Sequence, residues 1–550
     1  MAETITDSMD RISELPTFII HHIMSYLSEK EAARTSILSK KWHCVHASFP
    51  ILDFHEYYAY FVGKDLASRS MAEYQSRLGK KFQRHLIKFV KFVDASLLRF
   101  CKLGFSLQRF GLLACLLEAE QSSFFLDKWI GLVIKNGVKE LDLDVPPGHV
   151  EWMYTLPEIV FLAKSLTILK LGGCKLEHPS GTIRFHSLES LTLRDVHINE
   201  DMLQKLTIGC PLLQDLFLFD CWGFRRIDVY KACKLKIIEI EEHSHDTIQS
   251  VKIDLPSLQG FRLRLKRPKL CTIDLVGCPN LNDLSLVCVN LMDQEFHCLI
   301  SNFPFLENLS LSYCLLLNRV SISNYQLKIL RVSDCRNLKA IDVDSPNLVL
   351  FRYSNDSIPT ISMNALSTWK VCLEKINADA HTLWFLKIKE FLGFANQIKD
   401  LELYVEWDED SVGLNEFKNG LTSLPCEVGN LCLHLTRGSF SSRLAWLDGF
   451  FRLYYSRNFV VAVMNEADIK FIELLHEEAR NKDNIRCCNS HPIKCWRHYL
   501  KDFKIVKIVS LLTSKGYTNP SINIYDLMGE LPFKITLHLD WCFSKSLDKV

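Results

Sequence analysis

The chain lacks most of what would make an enzyme or a membrane protein legible. Its 550 residues hold no glycine-rich phosphate loop, no nucleophile elbow and no paired-carboxylate motif, so no reaction class can be read. No apolar run approaches the roughly 18–20 residues of a membrane span. Phe110 to Leu117 stops at Glu118, and Phe124 to Ile134 is broken by Asp127 and Lys128. The polar, acidic Met1 to Asp10 stretch has no basic start followed by apolar residues, so a secretory leader is not expected. Net charge is also nearly absent, since 65 Lys and Arg against 64 Asp and Glu leave +1. That excludes a global attraction to nucleic acid or to an acidic membrane.

What is present points to a folded protein of the cytoplasm or nucleus. The composition is 48% hydrophobic and 23% charged, which separates the chain from disordered sequences. It is too long for one compact core, so several domains or an extended repeat array are expected. Cysteine is abundant, at 20 residues. In a reducing compartment these are thiols, and their recurrence at one position of a repeat favours small buried side chains over a disulfide framework.

Residues 11–50 predict three short helices. Pro16 suits a first helical turn. Ile19, Ile23 and Leu27 follow at four-residue steps, widened by Ile20 and Met24. Ser28 and Glu31 have capping-box spacing for a second helix at Glu29, and a third carries Leu38, Trp42 and Val45. So small a bundle has more apolar side chains than it needs. It is either a cap on the following domain or a docking module completed by a partner. Helical spacing recurs through Phe82, Leu86, Phe89, Val93 and Leu97, and again over Asp127 to Asn136, where Gly137 is a natural stop.

From Val138 the pattern L-x-x-L-x-L recurs with aliphatic or aromatic substitutions, at 138, 166, 188, 213, 235, 258, 281, 306, 327 and 348. Successive units start 21 to 28 residues apart, the leucine-rich repeat period. LEKINA at Leu373, IKDLEL at Ile398 and VGNLCL at Val428 extend the array. Each unit lays down one short parallel strand whose leucines stack on its neighbours, so no unit is stable alone. Cys174, Cys221, Cys314 and Cys335 take the Asn/Cys position, and with one or more repeats between them and no CxxC pair they are not read as metal ligands.

Two blocks resemble a known family. The segments LP-x-x-I-x-x-x-I-x-S-x-L and KE-x-x-RTS-x-LSK-x-W resemble the F-box of plant F-box/leucine-rich repeat proteins. The match runs through Leu15, Pro16, Ile19, Ile23, Ser25, Leu27, Lys30, Glu31, Arg34, Thr35, Ser36, Leu38, Ser39, Lys40 and Trp42. His46 departs from it, standing where the family usually has a second tryptophan. WIGLVIKNGVKELDL resembles the family's approach to its first repeat. The resemblance covers roughly residues 11–50 and 127–405.

It implies an α/β chain: a short helical F-box followed by a leucine-rich repeat solenoid (a horseshoe) and a mixed C-terminal region. The expected divisions are 8–52 F-box, 53–137 helical connecting region, 138–436 repeats and 437–550 C-terminal helices and strands. It further implies a Skp-type adaptor bound through Leu15, Pro16, Ile19, Ile23, Leu27, Leu38 and Trp42. Through the adaptor the chain would meet a cullin, as the substrate-recognition subunit of an SCF-type ubiquitin ligase. The alternatives are a ligase-independent scaffold and an F-box co-receptor for a small molecule or hormone.

No catalytic residue, cofactor or metal is assigned, and neither nucleic acid nor membrane is expected as a partner. A protein target is expected on the concave face, where Asp142, Lys170, Arg194, Phe217, Phe219, Glu239, Arg262, Arg264, Arg331 and Arg352 flank the inward leucines. Phe217 and Phe219 suit partner contact. The run FRLRLKRPKL could recognise phosphate or a carboxylate-rich segment, or be a locally paired patch beside Glu239, Glu241 and Glu242. In the tail, Cys488, His491, Cys495 and His498 have zinc-ligand residue types but no regular finger spacing, and CWRHYLKDFKIVKI resembles a strand region of some family members.

Overall fold

The computed structural model describes, with a few short breaks, residues 12–55, 71–145, 153–365, 369–376, 398–405, 426–435, 447–480, 496–510, 516–517 and 532–541. The chain forms two compact units. One holds residues 1–266 and 271–278, the other 267–270 and 279–550.

The first unit opens with three helices, α1 (Thr17–Met24), α2 (Glu29–Thr35) and α3 (Lys40–Ala47). Pro16 stands at the N-cap position of the first without a side-chain hydrogen bond, whereas the Ser39 hydroxyl accepts from the Trp42 amide at 3.2 Å to cap the third. Their core is Ile20, Met24, Ala32, Trp42, Val45 and Phe49, with Leu15, Leu27 and Ile51 packed on it. The inward face of α1 is thus turned by one position from the expected one, because Ile20 and Met24 fill the space against Trp42. Ile19 is half-buried and Ile23 exposed. Ser28, the expected capping residue of α2, lies outside the described residues.

A parallel sheet follows. Its strands are β1 (Ile51–Asp53), β2 (Arg109–Leu113), β3 (Glu140–Asp144), β4 (Ile168–Gly172), β5 (Ser190–Arg194), β6 (Asp215–Phe219), β7 (Ile237–Glu241) and β8 (Gly260–Leu270), each paired with the next. Leu141, Leu143, Leu169, Leu171, Leu191, Leu193, Leu216 and Leu218 all point inward and are buried, as strand alternation requires. The sheet therefore begins at Ile51, not at Val138. Residues 53–137, expected as a helical connector, contribute β2, whose Phe110 and Leu112 continue the buried ladder. Within that stretch α4 (Met71–Lys102) and α5 (Ala119–Lys135) pack through Phe89, Val93, Leu97, Trp129 and Val133. Asp94 accepts from Lys128 Nζ at 2.6 Å and Trp129 Nε1 at 3.1 Å. Gly137, at φ +70°, ends α5 as expected, although the helix starts earlier than Asp127.

The second unit repeats the plan in β9 (Asp283–Asn290), β10 (Asn308–Ser312), β11 (Ile329–Ser333), β12 (Leu350–Ser354), β13 (Trp369–Ile376), β14 (Ile398–Val405), β15 (Asn430–Leu435) and β16 (Asn458–Val463), all parallel. Here the expected repeat at Leu373 is out of phase. The strand lies earlier, with Val371 and Leu373 as its inward pair. The sheet also passes the expected limit at 436. β16 pairs antiparallel with β18 (Phe533–Trp541), which pairs antiparallel with β17 (Leu500–Ser510). Cys488, His491 and Cys495 lie outside the described residues.

The turn after many strands is built alike in both units. One residue takes positive φ (Gly173, Asp220, Tyr313, Asp334), and a buried cysteine follows. The Cys221 thiol points at Leu193 O, 3.4 Å away, and that of Cys314 at Leu286 O, 3.8 Å away. The cysteine is the small group that fits beneath the previous repeat. Burial pushes the Cys221 thiol up to about 12, which suits packing and not reactivity. Among the described residues no helix is long and apolar enough to cross a membrane.

Candidate functional site

Two surfaces of the first unit stand out. The first is the outer side of the three-helix module. Phe18, Tyr26, Ile37 and Leu38 are 66–84% exposed, and Ile23 is 38% exposed. Phe18 lies in the first turn of α1 and Tyr26 in the turn just after it, and His22 touches Tyr26 edge-on, centroids 5.1 Å apart. Ile37 and Leu38 occupy the turn joining α2 to α3, held by amide bonds back to Arg34 and Thr35. Pro16 is exposed and Leu15 half-buried beside them.

Of the residues expected to contact an adaptor, Trp42 is 5% exposed and belongs to the module's own core, and Leu15 and Leu27 pack on it. Phe18, Tyr26 and Ile37 escaped the sequence reading. The signal for Phe18 was the helical phase, because once Ile20 and Met24 face inward, 18 and 22 must face out; Tyr26 and Ile37 lie in the turns between helices, where no such phase applies. His46, in place of the family's tryptophan, is half-buried. Burial lowers its pKa, and the nearby Arg99 and His43 lower it further.

The second surface is a groove of about 480 Å³ on the open face of the sheet, lined by His55, Asp142, Asp144, Lys170, Thr192, Arg194, Phe217 and Phe219. Parallel register builds it. Asp142, Lys170, Thr192, Phe217, Glu239 and Arg262 form one row across neighbouring strands. Asp144, Gly172, Arg194, Phe219, Glu241 and Arg264 form the next. The second row has room because Gly172 has no side chain: a Cβ there would stand 2.5 Å from Asp144 Oδ1.

One end of the groove is ionic. His55 Nδ1 lies 2.6 Å from Asp53 Oδ1, and Arg109 Nη2 lies 3.2 Å from Asp53 Oδ2. Lys170 Nζ is 3.2 Å from Glu140 Oε1 and 3.9 Å from Asp142 Oδ2. Burial opposes the charge on His55, but the hydrogen bond and charge of Asp53, with Asp142 and Asp144 beyond, hold its pKa above the usual value. Burial raises the Asp144 carboxyl, although His55 and Arg194 pull the other way. The other end is aromatic. Phe217 and Phe219 stack with centroids 6.1 Å apart and planes 14° off parallel, and the Arg194 guanidinium lies 5.7 Å over Phe219.

The structure brings Phe217 and Phe219 together with Asp142, Lys170 and Arg194, all expected on the concave face, and adds His55 and Asp144 to them. Arg262 and Arg264 lie two strands further on and are exposed. Arg264 Nε is 3.5 Å from Glu241 Oε1, and Lys266 Nζ donates to Ser244 O at 2.7 Å, so this end of the basic run is locally paired. Arg331 and Arg352 belong to the second unit, side by side on β11 and β12. Arg352 Nε is 3.5 Å from Glu374 Oε1.

A small three-helix module ahead of parallel repeat strands is the architecture of an F-box protein with leucine-rich repeats. Residues 12–45 match the F-box domain. Residues 126–274 match the LRR repeats of FBD-associated F-box protein At5g56370, and residues 262–413 match the LRR domain of At1g61320/AtMIF1. Among individual proteins of Arabidopsis thaliana, the chain is 32% identical to F-box/LRR-repeat protein At3g59200 over 46% of its own length and 45% of that protein. It is 33% identical to putative F-box/LRR-repeat protein At5g41840, over 42% of its length and 41% of the relative. It is 30% identical to F-box/LRR-repeat protein At3g58900, over 46% of its length and 72% of the relative. The chain spans less than half the length of the first two of these. It belongs to the plant F-box/LRR-repeat protein family.

Proposed function

We propose that this protein is the substrate-recognition subunit of an SCF-type ubiquitin ligase and performs no chemistry of its own. An F-box implies binding to a Skp-type adaptor. The observation that carries the reading is the set of large apolar side chains left exposed on the helical module. A module this small keeps Phe18, Ile23, Tyr26, Ile37 and Leu38 in water only at a cost that a partner would remove. Leu15 and Pro16 complete the same docking face, flanked by the half-buried Ile19 and Leu27.

The target is held on the open face of the repeats. The groove's ionic end, where cations and carboxylates alternate, and its stacked aromatic end fit a segment with a charged side chain a few residues from an apolar one. Arg262 and Arg264, and in the second unit Arg331 and Arg352, supply further positive charge for acidic parts of the target.

Co-purification with a Skp-type adaptor tests the first half. The wild type should retain the adaptor, and Leu15→Ala/Pro16→Ala and Ile37→Glu/Leu38→Glu should each lose it while staying folded. Wild-type protein that does not bind any Skp-type adaptor would end the ligase assignment and leave a ligase-independent scaffold.

A further inference from the structure

In the second unit, strand register sets Glu402 of β14 beside Cys432 of β15, and His434 shares the face of Cys432 two residues on. His434 Nε2 lies 2.9 Å from Glu402 Oε1 and 3.4 Å from Cys432 Sγ. The three donor atoms all fall within 4.8 Å of one another. Donors bound tetrahedrally to zinc at about 2.0–2.3 Å stand roughly 3–4 Å apart. Glu402 is 6% exposed and His434 14%, and Cys432 is half-buried, so the group is shielded but still reachable from solvent.

We propose that Glu402, Cys432 and His434 are a binding site for a divalent transition-metal ion of the zinc class. The arrangement is wrong for a Cys–His–Glu nucleophile. A single nitrogen, Nε2, faces both the thiol and the carboxylate, whereas a catalytic imidazole needs its orienting carboxylate on the other nitrogen. It is right for a metal, which three converging donors of mixed softness would share.

The surroundings already orient the donors. Lys370 Nζ holds Glu402 Oε2 at 2.6 Å, leaving Oε1 turned to His434. The Tyr404 ring stacks on His434, centroids 3.9 Å apart and planes 11° off parallel, and its hydroxyl donates to Glu402 Oε1 at 3.2 Å. Such outer contacts fix the ligands of protein metal sites. The competing cation is Lys534, 3.7 Å from Oε1. Its side chain is 33% exposed and can turn to water as the ion enters. On binding, the Cys432 S–H bond breaks, a sulfur–metal bond forms and the proton passes to solvent. Three protein donors leave the fourth tetrahedral position to a water.

The test uses the full chain, stripped of metal with a chelator, and Co²⁺ as a coloured stand-in for Zn²⁺. One equivalent should produce a thiolate-to-cobalt charge-transfer band that Zn²⁺ abolishes. Cys432→Ser and His434→Gln should lose the band, and Cys298→Ser, at an exposed thiol elsewhere, should keep it. Alkylation of wild-type protein mapped by mass spectrometry removes any dependence on folded variants: Zn²⁺ should block label at Cys432 and leave Cys298 labelled. No band in the wild type, a band retained without Cys432 and His434, or zinc-independent labelling of Cys432 would each overturn the site.

Discussion

Replacing Trp42 by alanine separates a residue that holds the F-box together from one that touches the adaptor. Trp42 is 5% exposed, and it closes a core of only five other buried side chains, Ile20, Met24, Ala32, Val45 and Phe49. Truncating a buried tryptophan costs about 3–5 kcal/mol. A helical module of some forty residues has little stability to lose, since whole domains hold only about 5–15 kcal/mol. The substitution should therefore melt α1 to α3 while the repeats persist. Hydrogen exchange read by mass spectrometry should show residues 17–47 losing protection in Trp42→Ala, with the repeat strands unchanged. Ile37→Ala/Leu38→Ala, at side chains already in water, should leave all segments protected and weaken only adaptor binding. Full protection of residues 17–47 in Trp42→Ala, together with lost adaptor binding, would refute the reasoning and make Trp42 a contact residue.

Other outcomes follow from the same geometry. Gly172→Ala places a Cβ 2.5 Å from Asp144 Oδ1; the Asp144 carboxylate must turn aside, and the cost should stay under about 1 kcal/mol, visible as a small fall in the denaturant midpoint. His55 has a raised pKa and Asp53 a lowered one. The His55 contribution is therefore complete below its unfolded value of 6.5 and lost as pH rises through the folded value, while that of Asp53 is present above 3.8 and lost as pH falls through the folded value. The stability difference between wild type and His55→Asn, read from urea midpoints, should thus be largest below pH 6.5 and shrink as pH rises; a difference that does not change with pH would remove the pair from the account. Glu402→Gln removes the carboxylate that Lys370 and Lys534 share, but their side chains are 43% and 33% exposed and can turn to water. It should cost about 1 kcal/mol, read as a slightly lower melting temperature.

The repeats were legible because each uses the same short-range rule. Leu166, Leu169 and Leu171, or Leu188, Leu191 and Leu193, declare a strand and its inward face from six consecutive residues. The F-box was legible for a similar reason, as a run of residues in fixed register. Strands that break the rule were not. RFGLL at Arg109 and NFVVAV at Asn458 lack the leading leucines, and only the ladder beside them makes them strands. The phase error at Leu373 has the same origin, because Leu373 fits the pattern as a first position and the neighbouring β12 selects it as a later one.

By itself the sequence determined the order of parts: three helices with excess apolar surface, then parallel strands with leucines inward and polar side chains outward. It could do so because helix phase and strand alternation are local. The tertiary structure alone decided which apolar side chains of the F-box are core and which are surface, since that depends on how Trp42 packs across helices. It alone set Asp142, Lys170, Phe217 and Arg194 along one groove, and Glu402, Cys432 and His434 around one point. From one strand to the next those residues lie 23 to 30 positions apart in the chain, with only Cys432 and His434 on a shared strand, and strand register, which no local pattern states, makes them neighbours.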